Sequence, residues 1–132
     1  MWLYNQKTGI LSNGELWFQC YAGHGDGKNN PELDHMKDVG PLPRGRYTMS
    51  SLTVRMTARG PYVIHLMPHP ENEMHGRAGF LIHGDSVKYP GTASLGCIIR
   101  SPKSDREKIW THGDRELLVV GQANTPHCHL IT

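Results

Sequence analysis

Fifteen glycines and nine prolines punctuate this chain of 132 residues. Proline removes a backbone donor and fixes φ, and glycine gives up conformational entropy when ordered. Neither is tolerated well inside a long helix. Between these breakers lie short runs rich in Val, Ile, Tyr and Trp, which is the pattern of short strands joined by turns. The expectation is a mostly β fold with one short helix. At this length a single domain over residues 1–132 is expected, long enough to bury a core without a structural metal.

Charge and hydropathy exclude several classes of function. Lys and Arg number 14 against 12 Asp and Glu, a net charge of +2. That is too balanced for a dedicated nucleic-acid binder, whose footprint is a strong basic excess. No run of about 18 apolar residues is present, so no membrane insertion is expected. The opening Met1-Trp2-Leu3-Tyr4-Asn5-Gln6-Lys7 lacks a charged start followed by an apolar stretch, so no signal peptide is read.

Along the chain, Asn13-Gly14 stands between Gly9-Ile10-Leu11 and the aromatic run Trp17-Phe18-Gln19-Cys20-Tyr21, a hairpin signal. Residues 23–45 are rich in Gly, Asn, Asp and Pro and read as one long loop, a feature usually functional or flexible. Strands are expected over 46–54, 62–67, 80–82, 97–99 and 117–120. Ser101-Pro102 reads as a helix start, with Ser101 as N-cap and Pro102 in the first turn. The helix runs over Lys103–Thr111 and ends at His112-Gly113.

Nine His and three Cys are the candidates for chemistry. His83 closes the apolar run Phe80-Leu81-Ile82, and Cys97 opens Cys97-Ile98-Ile99 after Ser94-Leu95-Gly96. If these two short strands neighbour one another, His83 and Cys97 come within reach. An imidazole beside a thiol promotes the thiolate, which is the nucleophilic form. Gly96 would admit a close approach to the backbone, and the Gly96 and Cys97 amides could hold an oxyanion. The alternative for Cys97 is a small buried apolar residue.

The arrangement His83-Gly84 followed by Ser94-Leu95-Gly96-Cys97-Ile98 resembles the signature of the L,D-transpeptidase (YkuD-type) catalytic domain. More narrowly, the chain resembles the L,D-transpeptidase-like effectors of type VI secretion. Cys20-Tyr21-Ala22-Gly23-His24-Gly25, Asn29-Asn30-Pro31 and Gly40-Pro41-Leu42-Pro43-Arg44-Gly45-Arg46-Tyr47 follow that group's N-terminal pattern. The segments 77–85 and 93–98 follow its C-terminal one. The resemblance implies an L,D-transpeptidase-like β-sandwich or barrel. It implies Cys97 as nucleophile and His83 as general base, acting on tetrapeptide stems of peptidoglycan. The reaction would be L,D-carboxypeptidase hydrolysis or transpeptidase exchange through an acyl-enzyme, with no cofactor and no metal. It further implies a toxin made in the cytoplasm, acting in a target cell's periplasm, with secretion machinery and an immunity protein as partners.

The chain departs from the wider family at Leu95, where a His is usual, and at Arg100, which lies three places beyond Cys97. Arg100 either clamps a substrate carboxylate or is a solvated strand-end residue. Ser94 supports the oxyanion site or the loop. Asp85 orients His83 or caps a turn. Tyr21, His24 and Asn30 shape a substrate groove or support it. His65, His69 and His75 lie in a segment broken by Pro68 and Pro70, so they do not share one helix face as zinc ligands would. His127-Cys128-His129 has too few ligands for a metal. Cys20 reads as core, with a Cys20–Cys128 disulfide open in an oxidising compartment. Two other readings share this pattern: a phage or endogenous wall-remodelling enzyme, and a non-catalytic peptidoglycan-binding module.

Overall fold

The computed structural model describes residues 1–121. Eight strands form one sheet: β1 (Trp2–Asn5), β2 (Ile10–Ser12), β3 (Trp17–Gln19), β4 (Gly45–Thr53), β5 (Val63–Pro68), β6 (Leu81–His83), β7 (Ile98–Ile99) and β8 (Glu116–Val120). One helix, α1 (Lys103–Thr111), precedes β8. The spatial order is β3-β2-β1-β8-β4-β5-β6-β7. Neighbours are antiparallel except for β1 beside β8 and β6 beside β7, which are parallel.

The sheet curls until its two edges meet. Just past β3, Tyr21 bridges Ile99 of β7, with N–H to O distances of 2.8 and 3.3 Å in the two directions. This half-barrel with one helix is the mostly β, sandwich-or-barrel architecture expected of the sequence. Curling also protects part of each edge from pairing with another chain.

Strand alternation builds the core. Trp2 and Tyr4 on β1, Tyr47 and Met49 on β4, Ile64 and Leu66 on β5, and Leu117 and Val119 on β8 are all buried. Each pair is two residues apart, as one face of a pleated strand requires. The phase changes once. A bulge between Met49 and Ser51 of β4 restores the core side to Leu52, which pairs with Ile64.

The hairpin expected at Asn13-Gly14 joins β2 to β3, and the Asn13 carboxamide oxygen accepts from the Glu15 and Leu16 amides. The segment 23–45 is shaped by two short 3-10 turns, Gly25–Gly27 and Pro31–Leu33. Two local expectations are corrected. The N-cap of α1 is Pro102, with no side-chain cap, and Ser101 instead offers its carbonyl to Arg106. β1 itself is a strand the punctuation did not mark, because its pairing partner β8 lies far along the chain.

Arg106 fastens α1 to the sheet. Its guanidinium is buried and donates to the carbonyls of Pro61, Tyr62, Arg100 and Ser101 at 2.8 to 3.0 Å. It therefore ties the end of the β4–β5 loop to the exit of β7. Arg106→Leu is expected to lower stability in urea unfolding by about 3 kcal/mol, because buried carbonyls lose charged donors. Arg106→Lys should recover little of that loss, since one ammonium cannot span all of these acceptors.

Candidate active site

The site is set by the register of β6 and β7. Ile82 pairs with Ile98, and His83 pairs with Ile99. Ile82 and Ile98 are fully buried in the core. Cys97 lies one step before Ile98, and His83 one step after Ile82. By strand alternation both side chains emerge on the face opposite those two isoleucines. A strand spacing of about 4.8 Å and a rise of about 3.3 Å per residue put their Cα atoms about 8 Å apart. No hydrogen bond joins His83 Nε2 to Cys97 Sγ, whose contact is the Gly79 carbonyl.

His83 has a defined tautomer. Its Nδ1 lies 2.8 Å from the Gly84 carbonyl oxygen. A carbonyl only accepts, so the neutral ring carries its proton on Nδ1 and a bare lone pair on Nε2. That Nε2 is buried and has no hydrogen-bond partner. Leaving such an atom unpaired is costly, which makes it a signal of function. Burial lowers the His83 pKa below the usual imidazole value, the Gly84 carbonyl pulls it back, Arg59 and Arg106 lower it, and Asp85 raises it. His83 is therefore neutral at pH 7.

Cys97 is 7% exposed, and its Sγ is 4.0 Å from the Gly79 carbonyl. Burial pushes its thiol pKa up, while a backbone hydrogen bond from Leu81 and the charges of Arg59 and Arg77 pull it down. Burial thus favours the neutral forms of both the thiol and the imidazole.

Ser94 braces the turn that carries Cys97. Its hydroxyl donates to the Cys97 carbonyl at 2.7 Å and accepts from the Gly96 and Gly23 amides at 3.0 and 2.8 Å. The Gly96 amide is consequently engaged and does not face an oxyanion. Gly96 has φ +140, and a Cβ there would meet Arg77 Nη2 at 2.6 Å and the Phe80 ring at 2.8 Å. Arg77, buried, binds the carbonyls of Asp34, Gly40, Pro41 and Leu95. This arginine was not marked as a site residue, yet it holds the loop 34–41 against the turn that carries Cys97.

The other expected site residues fall around this centre in different roles. Asp85 does not orient His83. Its carboxylate accepts from the Tyr21 hydroxyl at 2.6 Å and from the Ser86 and Gly91 amides, shaping the loop after β6. Tyr21 also accepts from the Ala93 amide and lies under the Lys28 ammonium. Burial, then the Asp85 hydrogen bond, raise its pKa well above the ordinary phenol value. Arg100 is not a free clamp. It is held by Asp105 at 2.9 and 3.0 Å and by the Gln19 carbonyl at 2.8 Å. Asn30 caps the turn Pro31–Leu33 through the Glu32 amide. His24 is exposed and holds Val39 through its backbone amide.

His65 contacts Thr53 through Nε2, and His69 and His75 lie near Glu71 and Glu73 at 3.9 and 4.0 Å. Among the described residues no three His, Cys, Asp or Glu side chains converge as a metal site. Cys20 is buried, as the sequence led one to expect, while Cys128, His127 and His129 lie outside the described residues.

A cleft of about 730 Å³ opens over His83. Its walls include Arg59, Asp85, Val87, Lys103 and Arg106. A second hollow of about 260 Å³ lies beside Arg77, Phe80 and the half-exposed Leu95. Cys97, on the turn from Ser94 to Ile98, lines neither hollow.

The Tlde1 domain matches residues 17–122, which takes in His83, Cys97 and every brace described above. The chain belongs to the Tlde1 domain family. That is a family of type VI secretion L,D-transpeptidase-like effectors. No curated protein matches the chain. Among solved structures it is similar to "Structure of Bdellovibrio bacteriovorus Bd1075", at a TM-score of 0.58 and 18% identity. The match covers 89% of this chain and 46% of that one, so the Tlde1 chain spans under half the length of that protein. At this identity the likeness is one of fold.

The buried neutral His83 has a consequence for stability. Its folded pKa lies below the unfolded value of about 6.5. Below that value the unfolded chain binds the proton more readily, so stability is retained above pH 6.5 and lost as pH falls. Thermal unfolding of the wild type should show this decline, and His83→Gln should flatten it.

Proposed function

We propose that this Tlde1 domain is a cysteine-dependent peptidoglycan enzyme that cleaves or exchanges the terminal residue of tetrapeptide stems. The observation that carries the reading is the buried, unpartnered Nε2 of His83 on the same strand face as Cys97. An acceptor lone pair without a donor, on the face that carries a thiol, is what a general base needs.

Nε2 takes the Cys97 proton as Sγ bonds to the carbonyl carbon of the stem's diaminopimelate residue. Charge gathers on the carbonyl oxygen, and the Cys97 amide is the donor assigned to it, since Ser94 occupies the Gly96 amide. The intermediate collapses with cleavage of the C–N bond. The imidazolium gives its proton to the departing D-alanine nitrogen, leaving a thioester. Water then bonds to the carbonyl carbon and gives its proton to Nε2. The C–S bond breaks and the sulfur recovers that proton. An amine in place of water completes an exchange or a cross-link.

Asp85 and Tyr21 act on this chemistry by fixing the loop after His83, and Ser94 and Arg77 by fixing the turn before Cys97. As a member of an effector family, the domain would be delivered into a target cell's periplasm, and an immunity protein would guard the producer. One observation favours a second reading, a non-catalytic peptidoglycan-binding module: Cys97 is buried and its thiol pKa is raised.

Muropeptide mass analysis separates the two. Cys97→Ala should abolish loss or exchange of the terminal alanine, and His83→Ala should lower kcat by about 10²–10⁴-fold. Turnover by Cys97→Ala equal to the wild type would reject the enzyme. The acid limb of kcat/KM should lie below the ordinary imidazole value of about 6.5, because activity is lost only as the depressed His83 pKa is crossed. An acid limb above pH 7 would exclude His83 in this environment as the base.

A further inference from the structure

We propose that Arg59 is the anchor for the substrate's terminal carboxylate, an inference that rests on the enzyme reading above. Arg59 sits at the tip of a tight turn. Thr57 and Gly60 exchange two backbone hydrogen bonds of 3.0 Å, and the Thr57 hydroxyl donates to the Gly60 carbonyl and accepts from the Arg59 amide. Arg106 holds the following Pro61 and Tyr62 carbonyls. The backbone that presents Arg59 is thus built, while its guanidinium is exposed, lines the cleft and has no partner among the described residues.

The other charges of the cleft are committed. Arg106 spends its donors on four carbonyls. Lys103 faces Glu107 at 4.0 Å. The Asp85 carboxylate is taken by Tyr21, Ser86 and Gly91. What remains unanswered is one positive fork, and a planar guanidinium matches a carboxylate bidentately.

Removing a single terminal residue requires the enzyme to recognise a chain end, and that end is a carboxylate one Cα away from the scissile nitrogen. Arg59 is also near enough to the reacting pair to depress both His83 and Cys97 electrostatically. Without substrate its charge opposes the imidazolium that must form during attack. A bound carboxylate cancels that charge. The same contact therefore orients the substrate and strengthens the base only when substrate is present. The groups facing His83 in this balance are Arg59 from the β4–β5 turn, Arg106 from α1, Asp85 from the loop after β6, and Cys97.

The test compares tetrapeptide stems ending in free D-alanine with stems ending in D-alanine amide, and a third set amidated only on the diaminopimelate side chain. Wild-type enzyme should prefer the free terminus over the amide by about 10–100-fold in kcat/KM. In Arg59→Gln that ratio should fall to about threefold or less, and Arg59→Lys should recover part of it. An unchanged ratio in Arg59→Gln overturns the proposal, as does equal loss on all substrates. Discrimination that follows the diaminopimelate carboxylate instead overturns the assignment to the chain end.

A second readout does not depend on turnover. In Cys97→Ala protein, the His83 imidazole titration followed by NMR should shift upward on binding the free-terminus peptide. It should not shift with the amide, nor in the Arg59→Gln background. Should wild-type enzyme process no stem at all, the enzyme reading falls. Calorimetric binding of acid against amide to the Cys97→Ala protein then decides Arg59 separately.

Discussion

The parallel pairing of β6 with β7 is the constraint on which the rest depends. Ile82 and Ile98 lock the register from the core side, because a slip of β7 by one residue would turn Ile98 out to the opposite face. With that register fixed, His83 and Cys97 share the opposite face. The strands have only three and two residues, too few for ladder bonds alone to hold them. Bridging of Ile99 to Tyr21 closes the sheet around them and clamps β7 from its other side.

Two buried arginines do for the loops what strand ladders do for the sheet. Glycine- and proline-rich connections leave many carbonyls without amide partners. Arg77 gathers four of them around the turn that carries Cys97, and Arg106 gathers four between α1, β7 and the β4–β5 loop. Among the described residues no carboxylate is hydrogen-bonded to either. Their charge therefore remains in the site's electrostatics, where Arg77 favours the Cys97 thiolate and Arg106 disfavours protonated His83. The scaffold and the tuning of the pair are thus the same residues.

Much of this was legible in the residues. Apolar runs bounded by Gly and Pro marked five of the eight strands, β4 to β8, through β-branched and aromatic content, and Asn13-Gly14 marked the hairpin of β2 and β3. The helix span Lys103–Thr111 was read correctly, while its cap was not, because Ser101 is drawn to Arg106 instead of the helix end. His83 and Cys97 could be picked out as residues at strand ends flanking a loop. Arg59, Arg77 and Arg106 could not, because an arginine in a polar loop or on a short helix looks the same whether it is solvated or buried. Arg100 and Asp85 illustrate the converse: charged residues beside the motif, drawn off by Asp105 and by Tyr21.

The sequence by itself determined the fold class and marked His83 and Cys97 as the candidate pair. Residue chemistry and hydrophobic alternation are local properties, and short strands, turns, a thiol and an imidazole can be read from them. Tertiary structure alone decided which nitrogen of His83 is bare, which amide Ser94 consumes, and which of the cleft's cations is left unpaired. Each of those depends on a partner tens of residues away or on the path of a neighbouring carbonyl. Such contacts are fixed only when the sheet curls and its edges meet.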